Sequence, residues 1–153
     1  MTMPDIRTLV PHGGAMCLLD RVLASDAETL TAEVAIHEAS MFYSPEAQGV
    51  GSWVGIEYMA QAVAAHAGWL AKRDGGTVKP GFLLGSRRYS THSPLFANGQ
   101  VLQVKVKMEM RGDNGLGAYE CSIADTGKAG QELASATLTV FQPDDVNKFL
   151  HGV

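Results

Sequence analysis

The chain has 153 residues, 46% of them hydrophobic and 18% charged, which allows one domain spanning 1–153 around a single core. A net charge of -4 with no basic run gives no support to a nucleic-acid partner, and the low charge content hints at surface hidden in an oligomer. The two cysteines, Cys17 and Cys121, lie far apart and outside metal-ligand spacing, so both read as small core residues in strand-like segments of a protein in a reducing compartment.

Asp5 and Arg7 fall where a signal peptide needs an apolar run, so the expected location is the cytoplasm. Pro11-His12-Gly13-Gly14 reads as a turn, and Leu18 to Leu23 as the first strand. A second strand follows, with Leu30, Ala32, Val34 and Ile36 on one face and Thr31, Glu33 and Ala35 on the other. His37 to Gly51 has no period and contains Pro45, Gly49 and Gly51, so it is read as a loop. It feeds a long helix for which Ser52 is the expected N-cap, with Lys72 and Arg73 at the C-terminal end where cations suit the helix dipole.

After Asp74-Gly75-Gly76 and Pro80 the pattern is strand-like up to Gln142. Phe82 to Tyr89 is one segment. In the next, Val104, Val106, Met108 and Met110 alternate with Gln103, Lys105, Lys107 and Glu109. Gly112-Asp113-Asn114-Gly115 signals a hairpin, and Tyr119, Cys121 and Ile123 then alternate with polar residues. The last strand turns Ala134, Ala136, Leu138 and Val140 inward, Pro143 ends it, and Val146 to Leu150 reads as a short helix. Two strands, one helix and four hairpin-linked strands predict an α+β fold, with an antiparallel sheet wrapped around one long central helix.

From Trp53 to Ala71 the only polar side chains besides Tyr58 are Glu57, Gln61 and His66. The stretch is long enough to cross a bilayer, but its alanines, its carboxylate and its place in a strand-rich chain argue against a membrane. A helix apolar all round is buried on most sides, and an acid within it is costly unless partnered or used. Glu57 is therefore expected to be held out of bulk solvent and to carry the chemistry.

Pro11-His12 with Cys17-Leu18-Leu19-Asp20-Arg21-Val22, and Glu57-Tyr58-Met59-Ala60-Gln61-Ala62 on the helix, resemble two motifs of the hotdog-fold 3-hydroxyacyl-acyl-carrier-protein dehydratases. The second motif in that family reads Glu-Ala-Met-Ala-Gln-Ala. Phe82 to Gly85 and Ser93 to Gly99 occupy the places of its later strand and its Pro-rich turn, so the resemblance covers most of the chain. The features look like those of a branch of predicted dehydratases associated with polyene-type lipid clusters. The resemblance implies a hotdog fold and a role in fatty-acid or polyene-type lipid synthesis. Substrate would arrive on the phosphopantetheine of an acyl carrier protein, and no other cofactor and no metal is implied. It also implies paired chains whose sites take a histidine from one and a glutamate from the other.

One departure stands out. Counting the family's spacing back from Glu57 puts the catalytic histidine at Tyr43, or at Ser44 in a loop one residue shorter, although the loop proline survives as Pro45. Dehydration needs a base for the C2 proton, an acid for the departing hydroxyl and donors on the thioester carbonyl. Glu57 suits the acid, and the free N–H groups of Ser52, Trp53 and Val54 at the helix start suit the carbonyl. A tyrosine, with a reference pKa of about 10, is a poor neutral-pH base.

His37, at the start of the same loop, is the nearest candidate base, its alternative reading being a polar residue at a strand end. His66 falls on the helix face opposite Glu57 and reads as packed, His92 reads as a surface or partner-contact residue, His12 as structural, and His151 lies in the tail. Gln61, one turn after Glu57, either holds the carboxylate or the thioester, or is satisfied by backbone. Arg87 and Arg88 are candidates for contact with the acidic helix of a carrier protein or its phosphopantetheine, their alternative reading being solvated or carboxylate-paired strand arginines. Trp53 and Trp69 read as core or dimer-interface residues. Three functions are open: a dehydratase acting on 3-hydroxyacyl thioesters, a hotdog acyl thioesterase needing no histidine, and a non-catalytic subunit completing the site of a histidine-bearing paralogue. A homodimer or higher oligomer, or a heteromer with such a paralogue, is the expected assembly.

Overall fold

A computed structural model describes residues 3–9, 17–76, 82–112 and 114–141, with backbone only for Phe82, Leu83, Leu84 and Arg87. The turn expected at Pro11 to Gly14, the helix expected at Val146 to Leu150, His12 and His151 lie outside the described residues.

Strand β1 (Arg21–Ser25) turns into β2 (Thr29–Ala35) through Asp26, whose carboxylate accepts from the Glu28 and Thr29 N–H groups at 2.9 and 2.8 Å. Those bonds hold the Asp26 carboxyl below its usual range. On β2 the expected face is buried, with Leu30, Ala32 and Val34 in the core and Thr31, Glu33 and Ala35 half-buried. Cys17 and Leu18 precede β1 rather than forming part of it, and Cys17 is half-buried.

Two short strands, β3 (Tyr43–Ser44) and β4 (Gly49–Gly51), stand where the sequence reads only as a loop. With β6 (Leu95–Ala97) they form a small sheet, and at two or three residues each they are too short to show a period. A 3-10 turn, Ser52–Val54, leads into α1 (Gly55–Arg73). After it come β5 (Phe82–Thr91), β7 (Val101–Arg111), β8 (Leu116–Asp125) and β9 (Gln131–Phe141). The large sheet runs β1-β2-β7-β8-β9-β5 with every pairing antiparallel. This matches the two-strand, helix, four-strand reading.

The sheet covers α1 through Leu102, Val104, Val106, Tyr119, Cys121, Ile123, Ala134, Ala136 and Leu138, which meet Met59, Ala62, Val63 and Ala65. Each fully buried aliphatic side chain contributes about 1.5–3 kcal/mol, so this seam dominates the stability of the fold. Met110 departs from the expectation that it faces inward: a bulge between Met108 and Met110 breaks the alternation, and Met110 is 57% exposed.

His66, fully buried on α1, joins the helix to the sheet. One ring nitrogen, Nδ1, lies 3.0 Å from the Tyr119 hydroxyl, and Nε2 lies 2.9 Å from the Asp26 carbonyl. A carbonyl only accepts, so Nε2 carries the proton and Nδ1 accepts from Tyr119. Burial pushes the His66 imidazole below its usual value and lifts the Tyr119 phenol to about 12, so both are neutral linkers. The reading of His66 as a packed histidine holds.

At the N-terminus Ile6 and Leu9 are buried around a 3-10 turn, and the Leu9 carbonyl lies against Gly68 of α1, leaving no room for a Cβ there. No helix among the described residues is long and apolar enough to cross a membrane.

Candidate functional site

The sheet covers one side of α1 and leaves a flank open. Along it, Glu57 is exposed and Ala60, Ala64, Ala67 and Ala71 are half-buried. The expectation that this chain by itself holds Glu57 out of bulk solvent is therefore not met. The apolar look of the sequence around Glu57 comes partly from alanines on that open flank.

The carboxylate is nevertheless oriented. Gln61, one turn on and only 2% exposed, donates from Nε2 to Glu57 Oε1 at 3.3 Å while its Oε1 accepts from the Leu18 N–H at 2.7 Å. Both readings of Gln61, carboxylate holder and backbone-satisfied amide, are realised together.

The helix entrance differs from expectation. Ser52 does not cap α1 with its side chain; it begins the 3-10 turn. Its N–H donates to the Pro94 carbonyl at 2.9 Å and is not free for a substrate. Its carbonyl accepts from the Gly55 N–H and the Tyr89 hydroxyl. A Cβ at Gly55 would collide with that same hydroxyl, which is why glycine opens the helix. Val54 is buried. Trp53 is not a core residue: it is 66% exposed, and its indole meets Phe42 edge-on with ring centroids 5.4 Å apart. Phe42 is 51% exposed and sits at φ 68, a left-handed backbone that bulky residues rarely adopt. A largely exposed aromatic pair thus stands at the entrance of the helix that carries Glu57.

His37 is exposed at the end of β2, and its Nδ1 accepts from the Ala39 N–H at 3.1 Å. It lines a cleft of about 200 Å³ with Cys17, Leu18, Asp20, Ser40, Met41 and Tyr58. Glu57 is not among the described residues lining that cleft; Leu18, which does line it, donates to the Gln61 amide that holds Glu57. Tyr43, where the family's spacing places a histidine, is half-buried on β3 and packs on the core rim. Trp69 is half-buried beneath the Arg73 guanidinium. Arg88 is exposed on β5 at φ 54, within an irregularity of the pairing with β9, and Arg87 is placed by backbone alone. His92 is exposed and holds its strand end through a backbone bond to Leu133.

Two cleft residues were not singled out by sequence reasoning. Tyr58 replaces the alanine of the family's helix motif, a substitution visible in the sequence, and Asp20 belongs to the opening motif. Burial raises the Tyr58 phenol to about 12, with the Asp20 carboxylate adding to the shift.

Comparison with known proteins bears on what this arrangement is. No curated protein matches the chain by sequence. Among solved structures it is similar to a chain of the dehydratase heterocomplex ApeI:P from Xenorhabdus doucetiae, at TM-score 0.88 and 23% identity over 98% of this chain and 97% of that one. It also resembles smu.793 from Streptococcus mutans UA159 bound to acetyl CoA, at TM-score 0.64 and 12% identity over 87% and 94% of the two chains. A hypothetical thioesterase with coenzyme A from Streptococcus pneumoniae TIGR4 follows at TM-score 0.63 and 13% identity, over 80% and 84%. These likenesses establish the hotdog fold. The model of the ApeP-like family, ApeP dehydratase, matches residues 4–151 and so takes in both the helix carrying Glu57 and the sheet around it, and the chain belongs to the ApeP-like dehydratase family.

Proposed function

We propose that this chain is the glutamate-bearing subunit of a dehydratase acting on 3-hydroxyacyl thioesters, and that a histidine-bearing hotdog subunit completes its site. The single observation that carries the reading is the state of Glu57: held by Gln61, yet open to water on the alanine flank of α1. A carboxylic acid working in a thioester site needs water excluded, and in this chain a second subunit laid on that flank would exclude it. Small residues allow close approach, and the exposed Phe42–Trp53 pair provides apolar surface beside it. The structural likeness to a dehydratase heterocomplex supports a heteromeric arrangement. Alone, the chain pairs with itself.

In this reading the partner's histidine takes the C2 proton and Glu57 gives its proton to the departing 3-hydroxyl. The products are water and an enoyl thioester, and no redox change occurs. Substrate arrives on an acyl carrier protein of fatty-acid or polyene-type lipid synthesis, with exposed Arg88 and neighbouring Arg87 on β5 as its contact. Its phosphopantetheine is the only prosthetic group involved. His37, in the neighbouring cleft, is the alternative base for a self-sufficient site. Two free cysteines fit a cytoplasmic protein.

A thioesterase reading has one specific support, the fold shared with a hypothetical thioesterase, since a helix carboxylate activates water without a histidine. Product analysis with 3-hydroxyacyl-carrier-protein separates the two. Enoyl thioester is expected; free acid and free thiol would replace the dehydratase reading with hydrolysis.

A further inference from the structure

The turn that opens α1 carries no side-chain cap of its own: neither Gly51 before the 3-10 turn nor Val54 before the helix makes a cap bond from its side chain. Its ties come from elsewhere in the chain. The Ser52 N–H donates to the Pro94 carbonyl at 2.9 Å, and the Ser52 carbonyl accepts from the Tyr89 hydroxyl of β5. Glu57 lies in the first turn of α1, just beyond that point.

β5 leaves regular strand geometry to deliver the hydroxyl. Arg87 pairs with Thr137 and Ser90 with Ser135, so Arg88 and Tyr89 together stand opposite Ala136 in a bulge. Arg88 sits there at φ 54, a left-handed backbone that is unfavourable for a residue with a side chain. Bulges re-aim side chains, and Tyr89 packs against the core while its neighbours Arg88 and Ser90 are exposed.

The helix makes room in return. A Cβ at Gly55 would collide with the Tyr89 hydroxyl, and glycine is a poor helix former. The Ser52 carbonyl already accepts from the Gly55 N–H, so the phenol is not needed to satisfy it. Strained backbone that satisfaction of polar groups does not require is characteristic of active sites. A bulge, a left-handed arginine and a helix-opening glycine converge on one hydroxyl, and Glu57 is two residues beyond that glycine.

Resting on the dehydratase reading, we infer that Tyr89 is a positioning residue for Glu57, its hydroxyl fixing the Ser52 carbonyl and with it the first turn of α1. Two ties then act on different parts of the acid. Gln61 holds the carboxylate, donating to Oε1 at 3.3 Å, and Tyr89 sets the backbone from which that side chain departs. Burial raises the Tyr89 phenol to about 12, so it stays a donor across the working range of pH. Proton transfer to the departing hydroxyl needs hydrogen-bond reach, so a shift of about 1 Å in this turn is enough to slow it.

The test is Tyr89→Phe, assayed as enoyl-thioester formation from 3-hydroxyacyl-carrier-protein by this chain together with its histidine-bearing subunit. Expected is a kcat lowered about ten- to a hundredfold with KM within about twofold of wild type, the pattern of lost alignment rather than lost binding. Tyr119→Phe is the control for simple loosening, because it removes a buried hydrogen bond to His66, on the helix face opposite Glu57. It should lower the urea midpoint and leave kcat and KM of the folded complex unchanged. Amide exchange across 52–57 should quicken in Tyr89→Phe and not in Tyr119→Phe.

A kcat for Tyr89→Phe within about twofold of wild type, or a loss carried wholly by KM, would overturn the inference and leave the dehydratase reading standing. So would an equal fall of kcat in Tyr119→Phe, or a Tyr89→Phe chain that no longer folds, since either would mark the hydroxyl as structural only. Absence of enoyl thioester from the wild-type complex would remove the dehydratase reading and the inference with it.

Discussion

Replacing Tyr119 by Phe removes one oxygen from the molecule and nothing else of its shape. That oxygen is the donor to His66 Nδ1 at 3.0 Å, in a region where His66 is fully buried and Tyr119 nearly so. The ring cannot turn to find another partner, because Nε2 is committed to the Asp26 carbonyl at 2.9 Å. The variant leaves a buried acceptor without a donor, which costs about 1–3 kcal/mol, and it opens no cavity. Urea unfolding at pH 7.5 should show that loss as a lowered midpoint with an unchanged slope. The pH dependence follows from the same residue. Burial lowers the His66 value in the folded state, so below about pH 6.5 the unfolded chain binds the proton that the folded chain refuses. The His66 contribution is complete above about pH 6.5 and is lost as pH falls from there toward the folded-state value, by at most about 1.4 kcal/mol per pH unit. A Tyr119→Phe protein within about 0.5 kcal/mol of wild type would refute this account of the helix–sheet link.

Gly68→Ala should destabilise by about 1–3 kcal/mol, since the added methyl meets the Leu9 carbonyl and has to push the N-terminal segment off the helix; proteolysis before Leu9 should quicken in parallel. Phe42→Ala with Trp53→Ala should leave the unfolding free energy of the isolated fold within about 0.5 kcal/mol, because both rings face water. The same pair should weaken assembly about tenfold or more in sedimentation velocity, and unchanged assembly would show that the aromatic pair lies outside the interface. Glu57→Gln should be close to neutral for stability, its only described side-chain contact being the Gln61 amide; a large loss would mark it as structural.

The fold was legible because its long elements carry their periods openly. β2 shows its buried face as Leu30, Ala32 and Val34, and the hairpin before β8 is announced by Gly112 and Gly115, the latter at φ 89. Short pieces were not legible, since Tyr43–Ser44 and Gly49–Gly51 acquire their pairing only from β6, far along the chain. Met110 obeys the alternation in sequence and leaves it in space, as a bulge is a property of two strands rather than one. Ser52 has the composition of a cap but spends its N–H on Pro94, a partner that sequence spacing does not reveal.

The candidate site was legible in residue type and misjudged in burial. Glu57 was read as the lone carboxylate of an apolar helix and Gln61 from its one-turn spacing to it, and the hydrogen bond between them is present. Which flank of an apolar helix a sheet covers depends on sheet curvature, so the exposure of Glu57 was hidden. Tyr58 entered the sequence reading only as a member of the helix motif; that it is buried and also lines the cleft depends on elements far from it in the chain.

The most direct test of the central claim is the rate of enoyl-thioester formation from 3-hydroxyacyl-carrier-protein by this chain alone, by its cognate histidine-bearing subunit alone, and by the two mixed. The account predicts that mixing raises the rate well above the sum of the separate chains, and that Glu57→Gln in this chain lowers it by about a hundredfold or more without dissolving the complex. Full activity of this chain alone, or an undiminished rate with Glu57→Gln in the mixture, would contradict it.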